Sequence, residues 1–205
     1  MKFNHELSEK EKYSDGSLHY STPLRPWHLH QVARFHAVAE ALENVPVKSL
    51  LDVGCGYGDF FYYLATKHVM LERYSAIDLN PMFVGATAGK LSTDGFSKML
   101  GDFKASSLLD YCSDPETDKH DAVVCIGAFS AAADDGLADL EAAIPALFDK
   151  CNYATVFTVM TKKRPNDDEL SVSLDWLIPV MENCTERIYI DRKTLPHAAI
   201  CGMYR

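Results

Sequence analysis

Three alternate glycines directly follow a strand-like segment, and they are the feature of the sequence best suited to chemistry. Segment 50–53 is typical of a buried strand, and Gly54, Gly56 and Gly58 come next, before a helical pattern that begins at Asp59. Glycine adopts backbone angles that other residues avoid and, lacking a Cβ, lets a ligand contact the main chain. In an open α/β sheet such a turn lies at the carboxyl end of its strand, where ligands bind.

The residues around these glycines indicate the charge of that ligand. A dinucleotide-binding turn has the pattern G-x-G-x-x-G, but counting from Gly54 the sixth position is Asp59, which would repel a pyrophosphate at the helix N-terminus. A ligand with a cationic amino-acid end fits better, because Asp52 or Asp59 could complement it directly or through water. S-adenosylmethionine (SAM) carries a sulfonium and an ammonium. The alternative is a structural turn whose glycines serve packing alone.

A second acid, Asp78, ends the next strand-like run, 74–77. It follows the glycines by about 20 residues, the spacing of a ribose-binding acid. A carboxylate can accept hydrogen bonds from two neighbouring ribose hydroxyls. Because NAD and SAM would both use this contact, Asp78 does not distinguish them. Alternatively, Asp78 only caps the helix expected to begin near Pro81.

A third acid, Asp102, stands between Gly101 and Phe103, after a short run at 98–100 for which we predict a strand. An acid beside an aromatic residue can accept a hydrogen bond from the amine of adenine while an apolar wall covers the base. The same tripeptide is also typical of an ordinary turn.

The elements that must position these residues alternate along the chain. Helical periodicity covers 28–43, 59–66, 81–91, 137–148 and 170–181, and strand-like runs cover 48–53, 74–77, 122–126, 153–160, 187–190 and 198–204. This alternation predicts βαβ units, a mainly parallel sheet and a layered α/β fold. Pro145 is expected to kink or shorten its helix. Only 191–196 separates the last two strands, too little for a crossover helix, which predicts an antiparallel hairpin.

Composition narrows the classes of function. The chain of 205 residues has a net charge of -9, which argues against binding a nucleic-acid backbone, and we interpret the basic run 162–164 as a solvated strand end. There is neither a signal-peptide core nor an apolar run of membrane-spanning length, so we expect a cytoplasmic protein without a membrane partner. The six cysteines form no C-x-x-C pair and the histidines lack ligand spacing, which predicts reduced thiols and no metal site.

Taken together, these residues resemble the class I SAM-dependent methyltransferases, in their small single-domain bacterial form. Segment 52–58 resembles the first motif of the family, Asp78 its ribose-binding acid, Asp102 its adenine-binding acid, and 121–129 the strand and loop that face the methyl group. The resemblance covers about Leu29 to Arg205. It implies a Rossmann-like three-layer sandwich whose mostly parallel sheet has seven strands in the order 3-2-1-4-5-7-6, with strand 7 antiparallel.

The resemblance also implies a cofactor site for SAM at the ends of four strands and in the loops after them. The residues of this predicted site are Asp52, Gly54, Cys55, Gly56, Gly58, Asp78, Leu79, Asp102, Phe103, Ile126 and Gly127. The loop at 126–130 lacks the N-P-P-Y type of motif that holds the amino group of a nucleic-acid base, and no Pro-Cys pair offers a nucleophile for pyrimidine carbon. We therefore expect a small-molecule acceptor.

No catalytic residue can be assigned from the sequence. Transfer to oxygen, nitrogen or sulfur needs the acceptor lone pair in line with the sulfonium, and a base if the acceptor is protonated. The weak candidates for a base are His28, His30 and His197, with Tyr20 to orient one of them. Each histidine could equally be a surface or packing residue, and proximity alone could drive the transfer.

We predict that residues 1–27 form an N-terminal arm or lid in front of a SAM-binding domain at 28–205. The reason is that this segment is polar and aromatic and is broken by prolines and a glycine. The side chains expected to contact the substrate or close the lid are Tyr13, Arg25, Trp27 and, from the domain, Phe129. The alternative is that Trp27 only packs the arm over the core.

Other functions share parts of this pattern. A nicotinamide-dependent dehydrogenase would share the sheet and Asp78, but disagrees with the glycine spacing and the terminal hairpin. A non-catalytic SAM-binding protein on the same scaffold, or an RNA or protein methyltransferase, also stays open, because a fold does not fix a function.

Overall fold

The strand-like runs assemble into one seven-stranded sheet. The computed structural model describes residues 29–130, 136–162 and 170–205. The strands are Ser49–Val53 (β1), Arg73–Asp78 (β2), Leu100–Ala105 (β3), His120–Cys125 (β4), Cys151–Met160 (β5), Ile188–Asp191 (β6) and Ala198–Tyr204 (β7). Their order is β3-β2-β1-β4-β5-β7-β6. Strand β7 runs antiparallel to both of its neighbours, and the other six strands all run in the same direction. The expected topology and terminal hairpin are confirmed.

Helices cover both faces of the sheet. They are Leu29–Ala41 (α1), Asp59–Thr66 (α2), Pro81–Thr93 (α3), Leu108–Ser113 (α4), Gly136–Asp149 (α5) and Leu174–Glu182 (α6). Successive residues of a strand point to opposite faces, so Leu50 packs with α1 and α2 while Leu51 packs with α5 and α6. Both are fully buried, and burial of such a side chain contributes roughly 1.5–3 kcal/mol. The result is the expected three-layer sandwich.

Most predicted bounds lie within one or two residues of those observed, and three features of the elements differ more. The helix predicted at 170–181 begins only at Leu174, because the hydroxyl of Ser173 accepts the amide of Asp175 and caps it, while Ser171 bridges to Met160. The helix containing Pro145 is not shortened and runs through all 14 residues of α5. Its buried apolar face against the sheet offsets the backbone hydrogen bond that proline removes.

The third of these differences is the start of β3, which affects the predicted site. The run at 97–99 is a single 3₁₀ turn rather than a strand, and β3 begins at Leu100. Asp102 and Phe103 therefore lie inside the strand and not in a turn after it. No helix within the described ranges has both the length and the apolar character needed to cross a bilayer.

Candidate functional site

The turn between β1 and α2 follows a left-handed path. Gly54, Gly56 and Gly58 have φ angles of 71°, 52° and 71°. Residues with a Cβ are strained in this region of backbone space. The amide of Gly54 donates to the carbonyl of Ile77 at 2.8 Å, which fixes the turn against the end of β2. The sequence thus places its most flexible residue type where the backbone requires it.

The three glycines differ in what surrounds them. A Cβ added at Gly54 would lie 2.6 Å from the Cβ of Ala128, and one at Gly58 would lie 2.6 Å from Cγ2 of Thr87. Close packing therefore accounts for these two glycines. Apart from its two chain neighbours, no described residue has an atom within 4 Å of a Cβ added at Gly56. Packing does not explain Gly56, whose bare backbone is available to a ligand that contacts the main chain.

Asp78 is joined directly to this turn. Its Oδ2 accepts the amide of Gly56 at 3.0 Å, and its Oδ1 accepts the amide of Asn80 at 2.9 Å. The cap of α3 is Asn80, whose Oδ1 accepts the amide of Met82, so Asp78 is not the capping residue. Each carboxylate oxygen has a second lone pair, and Asp78 can still accept two hydroxyl hydrogens. Gly56 and Asp78 therefore form one continuous polar surface.

Acidic groups surround the base of the turn. Asp52 is only 3% exposed, and its Oδ2 accepts the hydroxyl of Tyr74 at 2.7 Å. Burial, opposed by the hydrogen bond from Tyr74 and helped by the nearby charges of Asp78 and Asp59, raises the pKa of Asp52 to about 7. The carboxylate of Asp59 accepts the amide group of Gln31 from α1 at 3.1 Å. Three carboxyl groups near one turn favour a cationic ligand over a pyrophosphate.

The structure does not bring Asp102 to this edge. The register of β2 and β3 pairs Asp78 with Ala105, so Asp102 lies three positions before the end of the sheet. Its backbone amide donates to Ser75 Oγ at 3.0 Å, and its carboxylate accepts the hydroxyl of Tyr111 at 3.2 Å. The role of Asp102 as an adenine-binding acid stays a prediction, but the residue lies inside β3 rather than after it, because β3 begins where the prediction had it end.

Phe103 is displaced for the same reason, since it pairs with Ala76 and its ring packs 5.9 Å from that of Tyr74. Ala105 lies opposite Asp78, and the residue directly after β3, Ser106, donates its amide to the carbonyl of Asp78 at 3.1 Å. Sequence reasoning missed Ser106, and the only signal for it would have been the correct start of β3.

The loop after β4 lies next to the glycine turn, as predicted. Ala128 approaches Gly54 closely, and Gly127 has a φ of 83° with its amide donated to Thr158 Oγ1 at 2.8 Å. Phe129 packs edge-on against Phe157, with ring centroids 5.8 Å apart. Ile126 and Gly127 thus lie at the carboxyl end of β4, beside that of β1.

A cation on α1 also belongs to this edge, and sequence reasoning did not find it. A Cβ at Gly127 would lie 2.8 Å from a guanidinium nitrogen of Arg34. Arg34 is one of many polar residues on an amphipathic helix, and only the packing of α1 against the sheet reveals its position.

The remaining predicted residues have varied positions. Leu79 follows Asp78 and is 78% exposed, so it offers an apolar surface at the edge of the site. Cys55 is buried, and burial raises the pKa of its thiol well above its usual range, which makes it a packing residue rather than a nucleophile.

The histidines proposed as a general base lie in different places. The carbonyl of His197 accepts the amide of Thr161 beyond the end of β5. His30 lies in α1. Outside the described residues lie Tyr13, Tyr20, Arg25, Trp27 and His28.

The fold is that of the class I SAM-dependent methyltransferases. The chain is similar to magnesium protoporphyrin IX methyltransferase (ChlM) from Synechocystis PCC 6803, solved with bound SAH, at 15% identity and a TM-score of 0.62 over 85% of this chain and 84% of that one. It is also similar to the methyltransferase domain of bacterial CtHen1-CN, at 18% identity and a TM-score of 0.67 over 86% of this chain and 100% of that one.

A third similar structure carries a different name. The [4+2]-cyclase SpnF matches at 14% identity and a TM-score of 0.63, over 85% of this chain and 80% of that one. Neither protein-family models nor curated protein sequences gave a match. At these identities the likeness establishes the fold, and the function has to be argued from the site.

Proposed function

We propose that this protein is a SAM-dependent methyltransferase that acts on a small molecule. The observation that carries the proposal is Gly56, a glycine in the left-handed region that no packing contact requires and that is hydrogen-bonded to Asp78. A backbone of this kind beside a carboxylate suits a ribose, and the acidic base of the turn suits a cationic amino-acid end. The bound cofactor would supply an electrophilic methyl group on its sulfonium.

The residues present fit such a cofactor in three parts. Asp78 would accept the ribose hydroxyls, and Gly56 would let the amino-acid end contact the main chain. Leu79, which is exposed beside Asp78, would cover one face of the adenine. Asp102 is not part of this proposal, and the backbone around Ser106 stands where the family's adenine-binding acid would be expected.

The protein would act mainly by positioning. Ile126, Gly127 and Phe129, at the end of β4, would shape the space in which the acceptor meets the methyl group. Holding the acceptor lone pair in line with the sulfonium accounts for much of the rate that such enzymes need. No general base is assigned, because none of the described histidines is shown to face the glycine turn.

A small molecule is favoured as the acceptor. The net charge of -9 disfavours a nucleic-acid backbone, although the domain of CtHen1-CN shares the fold. Residues 1–27 are proposed to form a lid over the acceptor, through Tyr13, Arg25 and Trp27.

Activity other than methyl transfer is the second candidate, because the named cyclase SpnF has the same fold. The test is product mass. The protein is incubated with SAM and a metabolite extract, and the mass spectrum is searched for acceptors that gain one methylene unit with equimolar SAH. Such a gain supports methyl transfer. Products of unchanged elemental composition with no SAH formed would contradict it.

A further inference from the structure

A cavity lies at the same edge of the sheet as the glycine turn, beyond the ends of β5 and β6. Its volume is about 360 Å³, within the range of roughly 300–1,000 Å³ that small-molecule sites occupy. The side chains that matter in its lining are Lys162, Arg192 and Asp175, together with the hydroxyl residues Thr161, Ser171 and Ser173.

Three separate elements build this cavity. Lys162 follows β5, and its amide donates to the carbonyl of His197 at the start of β7. Arg192 follows the last residue of β6. The first turn of α6 forms the third wall, and its amino-terminal end carries partial positive charge. Because β5, β6 and β7 are hydrogen-bonded neighbours, the two cations are fixed at one corner of the fold.

The charge of the lining is net positive in an acidic protein. Lys162 and Arg192 face one carboxylate, that of Asp175, and within the described ranges neither cation makes an ion pair. The neighbouring Asp191 is already held by the amides of Lys193 and Thr194, at 2.7 and 3.3 Å. With a net charge of -9 over the whole chain, two such cations at a cavity mark a place where an anion is favoured.

The cavity lies close enough to the glycine turn for one small molecule to reach both. The amide of Gly127, in the loop after β4, donates to Thr158 of β5, so this loop lies between the glycine turn and the cavity. Two strand spacings separate β1 from β5, which precedes Lys162, and four separate β1 from β6, which precedes Arg192, about 10 and 19 Å. These spans match the length of a small organic molecule.

We infer that the methyl acceptor carries a carboxylate or phosphate group, remote from the atom that is methylated, and that Lys162 and Arg192 bind this group. The inference rests on the proposed function, because it concerns the acceptor of the same site. Arg192 can bind either anion with two parallel hydrogen bonds, and Lys162 adds a point charge. The hydroxyls of Ser171 and Ser173 can donate to the remaining oxygens.

The binding test uses anionic probes and neutral partners of the same shape. Amide NMR signals of residues 173–175 are followed while phenyl phosphate, benzoate, benzyl alcohol or benzamide is added to the full chain. We expect one or both anions to shift these signals and the neutral partners to leave them unchanged. The double variant Lys162→Gln, Arg192→Gln should weaken anion binding by on the order of 10- to 100-fold, because two charged hydrogen-bonding groups are lost.

Lys193→Gln is the matched control, since Lys193 is an exposed cation beside Arg192 that does not line the cavity. It should bind the anion within about twofold of wild type, because exposed charges outside a site contribute little. The inference is overturned if no anion shifts the signals, if neutral probes shift them equally, or if the control and the double variant weaken binding alike.

A transfer test ties the cavity to the acceptor. With methyl-labelled SAM and a metabolite extract, the label should be retained by an anion-exchange resin, and the double variant should raise KM far more than it lowers kcat. Label found only in neutral products overturns the inference while methyl transfer stands. Absence of label from every fraction, together with absence of SAM binding, overturns the proposed function itself, and SAM titration separates the two cases.

Discussion

Gly54 and Gly56 illustrate two different reasons for a glycine within one turn. Both have positive φ angles, yet a Cβ would collide with Ala128 at Gly54, whereas at Gly56 it would meet none of the residues that the structure describes. The first glycine serves the packing of the loop after β4, and the second leaves the backbone open. Only the second reason points to a ligand, which is why Gly56 carries more of the functional argument than its neighbours.

Asp78 is the side chain whose removal should weaken SAM binding most directly. Asp78→Ala deletes the acceptor for two ribose hydroxyls and also releases the amide of Gly56. We expect the free energy of SAM binding to weaken by roughly 1.5–3 kcal/mol in calorimetry. Asp139→Ala, which removes an exposed carboxylate on α5, is the control and should not change affinity. Equal affinity of the Asp78 variant and wild type, both folded, would refute this role.

Asp52 should make stability depend on pH. Its pKa is raised from 3.8 to about 7, so the folded protein binds a proton that the unfolded chain has already lost. Stability is therefore highest at low pH and falls by about 1.4 kcal/mol per pH unit between about 4 and about 7. Asp52→Asn keeps an acceptor for Tyr74 and should abolish this component. Urea unfolding of both proteins at pH 5 and 7 measures the change in the free energy of unfolding between these pH values. The same change in wild type and variant would exclude Asp52 as its source.

The residues whose position in the fold could be predicted from the sequence share a local signal. The glycine turn and Asp78 each follow a run of buried residues, and a strand followed by a turn is readable from neighbouring residues alone. The position of Asp102 depends on where β3 begins and on its register with β2, which is set by hydrogen bonds to a distant segment. Such pairings leave no local trace, and Arg34 was missed for the same reason.

At the scale of elements, a partly buried polar network joins the amino-terminal parts of β2, β3 and β4. Nε2 of the buried His120 lies 2.8 Å from Ser75 Oγ, which also accepts the amide of Asp102. Arg73 makes ion pairs with Asp102 and Asp118 at the same end. Asp102 thus has a structural explanation at the edge opposite the candidate site.

His120 should make the fold sensitive to acid. Burial, and secondarily the charge of Arg73, lowers its pKa from 6.5 to about 4. The unfolded chain takes up the proton first, so the contribution is fully present above pH 6.5 and is lost as pH falls towards 4, by about 1.4 kcal/mol per pH unit. His120→Gln should remove this loss. Denaturant unfolding at pH 7 and 5 checks it, and an unchanged acid dependence in the variant would contradict the network.

The bounds of elements were predictable where periodicity and capping agree. In α3 the apolar pattern, Asn80 as cap and Pro81 in the first turn all indicate the same start. In α6 the apolar periodicity extends back to Leu170, whereas the cap at Ser173 begins the helix later. Pro145 suggested a shorter helix, but packing on the sheet outweighs the lost hydrogen bond. Local preference therefore yields where tertiary contacts are extensive.

At the scale of the whole molecule, the sheet order follows from connection rules applied to alternating strands and helices, together with the resemblance to a known family. All seven strands and both apolar layers lie between Leu29 and Arg205.

Deletion of residues 1–27 should accordingly leave a folded domain. If these residues form a lid, turnover and SAM affinity should both fall, because closure excludes water from the transfer. Circular dichroism reports the fold, and SAH release reports turnover. Full activity of the shortened chain would make the segment irrelevant to catalysis, and an unfolded product would favour a packing role for Trp27.

The central claim is that SAM binds at the backbone of Gly56, and calorimetric titration of the full chain tests it most directly. Wild type should bind SAM and SAH at one site per chain. Gly89→Ala, at a glycine of α3 with open space around it and no positive φ, should bind equally. Gly56→Val should remain folded but lose binding, since its branched side chain would occupy the ligand's place and resist a φ of 52°. No binding by wild type, or equal binding by Gly56→Val, would contradict the claim.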